Sequence, residues 1–566
     1  MLAASPVVRS GTARIFFCVT ALLTAAVIIW TQFYLPRDGG GLSQIFLLLF
    51  ADGDSKAASA MLAVLALAIF VSAKFSGQRL LAWINGNVLI VVAGTVVLLC
   101  VGSLFIYLNH PLAMDEYAPY LQSQIFAAGK LSGNYPVSYI DWSVPPGFHN
   151  YFLSVSQVTG NIASGYWPSF ALLLTPFTAL GIPWACNPVV SALTLLAVHR
   201  LALKIYGNQD AAAMVVLFTA ASPEFLINGI SYYSMPAHLL ANTVFALLLV
   251  DPTPKKALMA GIVGSIALTL HNPLPHLLFA LPWILWLAGI RNGTRLTLSL
   301  AAGYIPLGLL IGLGWFWFTG HLRQAGVPAP SGSGDLSGMW QTLAVFSLPD
   351  QSVLLARMIG IAKTWVWSVP GLLILAAAGA WKGWPQPALR LLTMSAIVTL
   401  LGYFLVPVDQ GHGWGYRYFH SAWIALPILA AGALTENKTS VRRSVFEDCG
   451  ARAFVMTCAV LMVLISVPIR AFQVRSLIAF DVAQISGYHG SEPRVVLIDP
   501  NYVFYGLDLV QNDPWLRGDV IRLVSHGRNN DAAMMAQNFP DLHEVFTDLK
   551  TAVWSKAPVT ERPQRP

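Results

Sequence analysis

The chain has 566 residues, of which 56% are hydrophobic and only 10% charged, and its mean hydropathy is +0.62. Soluble domains carry roughly 25% charged residues, so a string of water-soluble domains is excluded and a bilayer is the solvent that suits this composition. The net charge of +7 is scattered in short clusters between apolar runs, which argues against a nucleic-acid partner and for charge-encoded membrane topology.

Arg9 and Arg14 precede an apolar run over 15–34. No small-x-small cleavage site follows Trp30 to Pro36, so this run reads as an uncleaved first span. Further spans are predicted at 57–73, 83–107, 187–204, 211–228, 237–251, 257–271, 274–290, 296–318, 353–381, 389–406, 421–435 and 453–470, about thirteen in all. The runs are continuous rather than alternating, which predicts helices and not barrel strands. The segment 166–183 is apolar but short and bracketed by prolines; it reads as a re-entrant piece.

Basic residues fix the orientation. With the N-terminus inside, Arg9/Arg14, Lys74/Arg79, Arg200/Lys204, Lys255/Lys256, Arg291/Arg295, Lys382/Arg390 and Lys438/Arg442/Arg443 all fall inside, as the positive-inside rule expects. Counting 166–183 as a full span would invert every later loop. On this topology the segment 108–186, the turns 228–238 and 271–276, the loops 319–352 and 407–420 and the tail 471–566 lie outside. The chain thus divides into a transmembrane domain over 1–470 and an extracytoplasmic domain over 471–566. In that tail, Arg494–Pro500 and Asp519–Ser525 read as strands and Asp531–Asn538 as a helix, a small α/β module. The end, 558–566, is expected to be disordered. The five cysteines show no CxxC or Cys/His zinc spacing.

The outer loops hold the residues that can carry chemistry. Asp115 and Glu116 adjoin where the third span ends; two acids there can serve as a general base or as cation ligands, and a solvated helix cap explains them equally well. The stretch from Asp409 to His420 combines three glycines with His412, Tyr416, Arg417 and His420. An arginine placed outside against the charge rule favours anion binding over an interfacial aromatic belt. His271 and His276 flank a proline-rich turn, which is as readily a tight hairpin as a phosphate site. Tyr232, Tyr233 and His238 lie in the neighbouring turn, and Asp141 and His149 in the long first outer loop.

Several motifs together resemble a known family. The Met114-Asp115-Glu116-Tyr117 step opens the first large outer loop. It is followed by Tyr166-Trp-Pro-Ser-Phe-Ala-Leu-Leu-Leu-Thr-Pro-Phe177, then Arg200-Leu-Ala-Leu-Lys-Ile-Tyr-Gly207 and Ala221-Ser-Pro-Glu-Phe225. Over roughly 80–440 this layout is similar to the polyprenyl-phosphate-sugar-dependent glycosyltransferases of the GT-C superfamily, the group of the aminoarabinose transferase and the protein O-mannosyltransferases. It departs from the simplest family layout in having two spans before the span that leads into the acidic loop.

The resemblance implies an all-α polytopic GT-C-like membrane enzyme of a cell inner membrane. Its donor would be a polyprenyl-phosphate-linked sugar and its acceptor a lipid, glycan or protein. Asp115, with Glu116 beside it, maps onto the family's acidic residue as general base in an inverting displacement. Arg417, with His412, His420, Tyr416, His271 or His276, would hold the lipid phosphate. A divalent cation on Asp115 and Glu116 is a further expectation. A transporter or flippase, a polysaccharide polymerase or ligase, and a non-catalytic assembly subunit are the competing classes. Transporters place polar groups at the bilayer midplane and often carry internal repeats, whereas the acids and histidines here sit at span ends.

Overall fold

The computed structural model describes residues 10–36, 39–72, 75, 77–325, 346–436, 443–485 and 494–556. The basic residues Arg9, Lys74, Lys438 and Arg442, most of the loop 319–352 and the end 558–566 lie outside the described residues.

Among the described residues, seven helices are long and apolar enough to cross a membrane: Gly11–Phe33, Gln44–Val71, Val88–Phe105, Pro183–Tyr206, Gly293–Gln324, Pro387–Leu405 and Cys449–Ala483. Six apolar helices of 10–17 residues accompany them. Several differences from the sequence expectation have local causes. The run 353–381, expected as one span, is two helices, Gln351–Val366 and Leu372–Gly383. Pro370 and a left-handed Gly371 at φ 72° part them, since proline cannot continue a helix and disfavours helical geometry before it. The run 211–228 breaks in the same way at Ser222, ahead of Pro223. Within 166–183 the helix is only Ser169–Ala179, 11 residues, about 16 Å at 1.5 Å per residue against about 30 Å of hydrocarbon. The last predicted span, 453–470, runs on to Ala483, so the helical part extends past the expected boundary at 470.

The basic turns gather at one end of the helices. Ser10 bonds Asp448, Lys382 pairs with Glu447 at 2.8 Å, Gln386 donates to the Ile205 carbonyl, and Lys204 and Lys256 share Asp251. The segment 108–186 folds into the helix Met114–Ala127 and a small antiparallel sheet of β1 (Gly133–Asn134), β2 (Leu153–Val155) and β3 (Asn161–Ser164), in the order β1-β3-β2.

Beyond Ala483 the chain builds a four-stranded sheet from β4 (Arg494–Ile498), β5 (Val520–Val524), β6 (His543–Thr547) and β7 (Thr551–Ser555), in the order β5-β4-β7-β6. β4 and β5 are parallel, and the other pairs are antiparallel. The two strands read from the sequence are β4 and β5, and the expected helix runs Arg528–Asn538. This sheet lies against the 108–186 segment, where Trp142 Nε1 donates to Asp531 (2.8 Å) and Asn134 N to the Pro514 carbonyl (3.0 Å).

Within the helices a buried charge cluster ties three elements together. Asp54, in a π turn over Leu49–Asp54, pairs with Lys363 and Arg470, each at 2.7 Å, and accepts from Trp367 Nε1 at 2.6 Å. The Arg470 guanidinium lies 4.1 Å from the Trp367 ring centroid. A buried ion pair is weak evidence of net stability, but removing one partner leaves an uncompensated charge. Asp54→Ala is expected to destabilise the protein by about 3–5 kcal/mol, read as a large drop in the thermal unfolding midpoint of the purified protein.

Candidate functional site

The helix Met114–Ala127 starts without a capping side chain at Ala113, so its first N–H groups need other acceptors. Glu116 reaches back to the Leu112 N–H at 2.6 Å, and Asp508, from the tail, accepts the Met114 N–H at 2.9 Å. Adjacent positions on a helix diverge by about 100°, and the two acids separate accordingly. Glu116 is fully buried and also accepts from Tyr107 Oη (2.9 Å) and Tyr232 N (2.7 Å). Its carboxyl therefore secures the start of the helix and does not join Asp115 as a second acid or a shared cation ligand. Burial, opposed by these hydrogen bonds, pushes its pKa up to about 7.

Asp115 faces a different neighbourhood. Its Oδ2 accepts from Arg417 Nη2 at 2.8 Å and its Oδ1 from the Tyr166 hydroxyl. Tyr166 is set in place because the chain just after it pairs with the 269–271 turn: Trp167 N donates to the His271 carbonyl (3.2 Å) and Ser169 N to the Thr269 carbonyl (3.0 Å). The Tyr166 and His271 rings meet tilted at 41°, with centroids 3.9 Å apart. Burial would raise the Asp115 pKa, but the Arg417 charge and the hydrogen bonds from Tyr166 and Arg417 outweigh it and hold the carboxyl at about 2.

Arg417 is held by its own loop. Nη1 donates to the carbonyls of Gln410 (3.0 Å) and His412 (2.7 Å), Gln410 Oε1 accepts the Arg417 N–H (3.0 Å), and the guanidinium lies 4.2 Å from the Tyr233 ring centroid. Gly413 and Gly415 make the curl possible. A Cβ at Gly413 would stand 2.1 Å from Arg417 Cδ, and one at Gly415 would stand 1.5 Å from Glu224 Oε2. Glu224 anchors the loop from beneath, accepting from Tyr416 N (3.2 Å) and pairing with His420 Nδ1 (2.9 Å).

Among solved structures, the chain is similar to ArnT from Cupriavidus metallidurans bound to undecaprenyl phosphate. The identity is 13%, the match covers 84% of this chain and 99% of that one, and the TM-score is 0.50. The chain has an ArnT-like fold. The apo state of the same ArnT matches at 14% identity over 85% and 99% of the two chains, with a TM-score of 0.48. An oligosaccharyltransferase from Archaeoglobus fulgidus, in complex with Zn and sulfate, matches at 14% identity over 69% and 55%, with a TM-score of 0.31. No protein-family model and no curated protein matches the sequence.

On this fold, some of the sequence candidates converge and others do not. Asp115, Arg417 and Tyr233 meet directly, His271 joins through its ring contact with Tyr166, and His412 joins through its carbonyl. The His412 ring stands 4.5 Å from that of Tyr505 and 4.0 Å from Asp508. His420 and Tyr416 serve Glu224 instead. Both ring nitrogens of His276 are taken, by Asn242 and Tyr304 at 2.6 Å each. Tyr232 bonds Glu116 through its N–H and Asn109 through its hydroxyl, and His238 is buried with neither ring nitrogen hydrogen-bonded. Asp141 and His149 face each other at 3.9 Å, bonded to Gln157 and to the Val144 carbonyl, apart from the central group. Among the described residues no three His, Cys, Asp or Glu side chains are grouped to hold a metal.

Tyr166, Glu224 and Asp508 were missed as site residues. Glu224 carried a signal, an acid in an apolar run; Tyr166 and Asp508 carried none, since only the fold brings them near Asp115.

Two measurements check this construction. Gly411 and Gly415 have φ of 59° and 63°, so alanine costs about 1–2 kcal/mol of backbone strain at either. Only Gly415→Ala also drives a Cβ into Glu224, so it is expected to lower the thermal midpoint well beyond Gly411→Ala. Second, burial raises Asp508 from 3.8 to about 8 and lowers His412 to about 4, so both are neutral at pH 7. The folded chain then binds one more proton at Asp508 than the unfolded chain between 3.8 and about 8, so the Asp508 contribution to stability is lost as pH rises through about 8; the depressed His412 opposes it below 6.5, which leaves the fall visible from about 6.5 to 8. Asp508→Asn is expected to flatten that part of the stability–pH profile in chemical unfolding.

Proposed function

We propose that the protein is an integral membrane glycosyltransferase that moves a sugar from a polyprenyl-phosphate-linked donor to an acceptor hydroxyl. The observation that carries the reading is the Asp115–Arg417 pair, an acid and a fork-shaped cation 2.8 Å apart, set in a fold similar to that of ArnT bound to undecaprenyl phosphate. The charge rule supports a site on the extracytoplasmic face of a cell inner membrane, with the helices through Ala483 in the bilayer and the β4–β7 sheet outside.

The acceptor oxygen attacks the anomeric carbon as Asp115 takes its proton. The bond from that carbon to the phosphate oxygen breaks, and the electron pair leaves with the lipid phosphate. Arg417 receives the developing charge; a preoriented cation in a water-poor site is worth most at that moment. One displacement inverts the anomeric centre. A midplane transport route has no comparable support, because the acid, the arginine and the flanking aromatics gather where the 108–186 segment and the tail meet.

The test compares membrane glycolipids and surface glycans from cells carrying the wild type, Asp115→Asn or no protein. Loss of general-base catalysis is expected to cut transfer by roughly 10²–10⁴-fold, with Asp115→Asn accumulating in the membrane at wild-type level. Transfer at the wild-type rate would remove Asp115 as the base.

A further inference from the structure

The resting arrangement poses a chemical problem for the function proposed above. A general base must offer a lone pair to the proton it abstracts. Here Asp115 Oδ2 is occupied by Arg417 Nη2 at 2.8 Å and Oδ1 by the Tyr166 hydroxyl. A carboxylate so engaged is a poor proton acceptor, and the same guanidinium is the one placed to meet an incoming phosphate.

We infer that Asp115 and the phosphate of the lipid donor compete for Arg417, so that the ion pair is a resting latch which phosphate binding opens. The inference rests on the transferase reading. The geometry allows the exchange with little movement. Arg417 Nη1 is anchored to two neutral carbonyls, those of Gln410 and His412, and the guanidinium packs on Tyr233. Only the Nη2–Oδ2 contact must be given up, and the arginine pivots on bonds that it keeps. An arginine fork binds phosphate oxygens at least as well as a single carboxylate oxygen. Once Nη2 turns to phosphate, Oδ2 is bare and Asp115 regains basicity, because the charge that depressed it is neutralised by the ligand.

The sequence of events then balances. Phosphate takes Nη2; the acceptor hydroxyl gives its proton to Oδ2 as the new glycosidic bond forms; the old bond breaks and its electron pair goes to the lipid phosphate. Departure of the phosphate returns Arg417 to Asp115 and expels the proton. In the absence of donor the carboxylate stays tied, so the base is switched on by the substrate that needs it. Tyr166 keeps Oδ1 in place throughout and is a positioning residue.

A competition of this kind makes an unusual demand: deleting the acid should improve binding of the phosphate. The experiment titrates undecaprenyl phosphate onto the full-length protein in lipid nanodiscs, with ligand-induced thermal stabilisation as a second readout. Asp115→Asn is expected to bind at least tenfold tighter than wild type. Arg417→Ala is expected to lose saturable binding. Asp499→Asn, which removes an acid remote from the pair, should stay within threefold of wild type. Asp115→Ser repeats the charge removal should the asparagine variant fail to fold. Wild type that binds, with both Asp115 variants binding equally or more weakly, overturns the latch and leaves the transferase reading standing. A wild type with no affinity for undecaprenyl phosphate overturns the lipid-phosphate reading, and the latch falls with it.

Discussion

Arg417 carries a permanent charge in a place with little water, its side chain only 10% exposed, and the site is organised around making that charge tolerable. A guanidinium cannot lose its proton to escape burial. It must be surrounded by acceptors, and four are supplied: a carboxylate, two backbone carbonyls and an aromatic face. Each requirement propagates. The carbonyls demand a loop that doubles back on itself, the doubled loop demands glycines at 413 and 415, and the space beneath Gly415 is where Glu224 fits. One charge thus dictates the shape of a twelve-residue stretch from Asp409 to His420.

The same economy appears deeper among the helices. Asp54, Lys363 and Arg470 come from three helices far apart in sequence, and Glu224 and His420 come from two more segments. Trp367 connects the two groups, donating its indole N–H to Asp54 and lending its carbonyl to the Glu224 N–H (3.0 Å). Apolar packing alone specifies helix positions loosely, because lipid tails compete with side chains on equal terms. Fixed hydrogen-bond partners set rotation and depth. The helices beneath the site are therefore pinned where the loop above needs them.

Much of this architecture was legible in the sequence, because a bilayer leaves the chain few choices. Apolar run lengths located nearly every helix, and the scatter of lysine and arginine between runs marked the turns that the structure gathers at one end. Two failures were at prolines, where Pro223 and Pro370 cut runs whose hydropathy continues unbroken; the run 83–107 breaks instead at Asn87, between Gly77–Gly86 and Val88–Phe105. Within the site, Asp115 and Arg417 were found because each breaks a local rule, an acid at a span end and an arginine outside. Glu116 turns away from Asp115, since adjacent positions on a helix diverge by about 100°. β6 and β7 were overlooked although Thr551–Ser555 alternates between buried and half-buried positions; five residues of mixed polarity are too little for periodicity to speak. Tyr166 reaches Asp115 through a pairing with the 269–271 turn, and Asp508 through a tail nearly four hundred residues downstream. Contacts of that kind are products of the fold.

That last contact has a consequence for how the protein comes into being. The Met114 N–H waits for an acceptor 394 positions later in the chain, and the Pro111 carbonyl and the Tyr117 hydroxyl wait for Gln511 and Asn512 over similar distances. At roughly 5–20 residues per second, a ribosome needs on the order of 20–80 s to supply them. During that interval the helices can enter the membrane one after another, each satisfying its own backbone. The start of the acidic helix stays open until Asp508 has been made. The site is closed by a segment synthesised long after the helix it caps, so a nascent chain holds a bundle before it holds this group of residues.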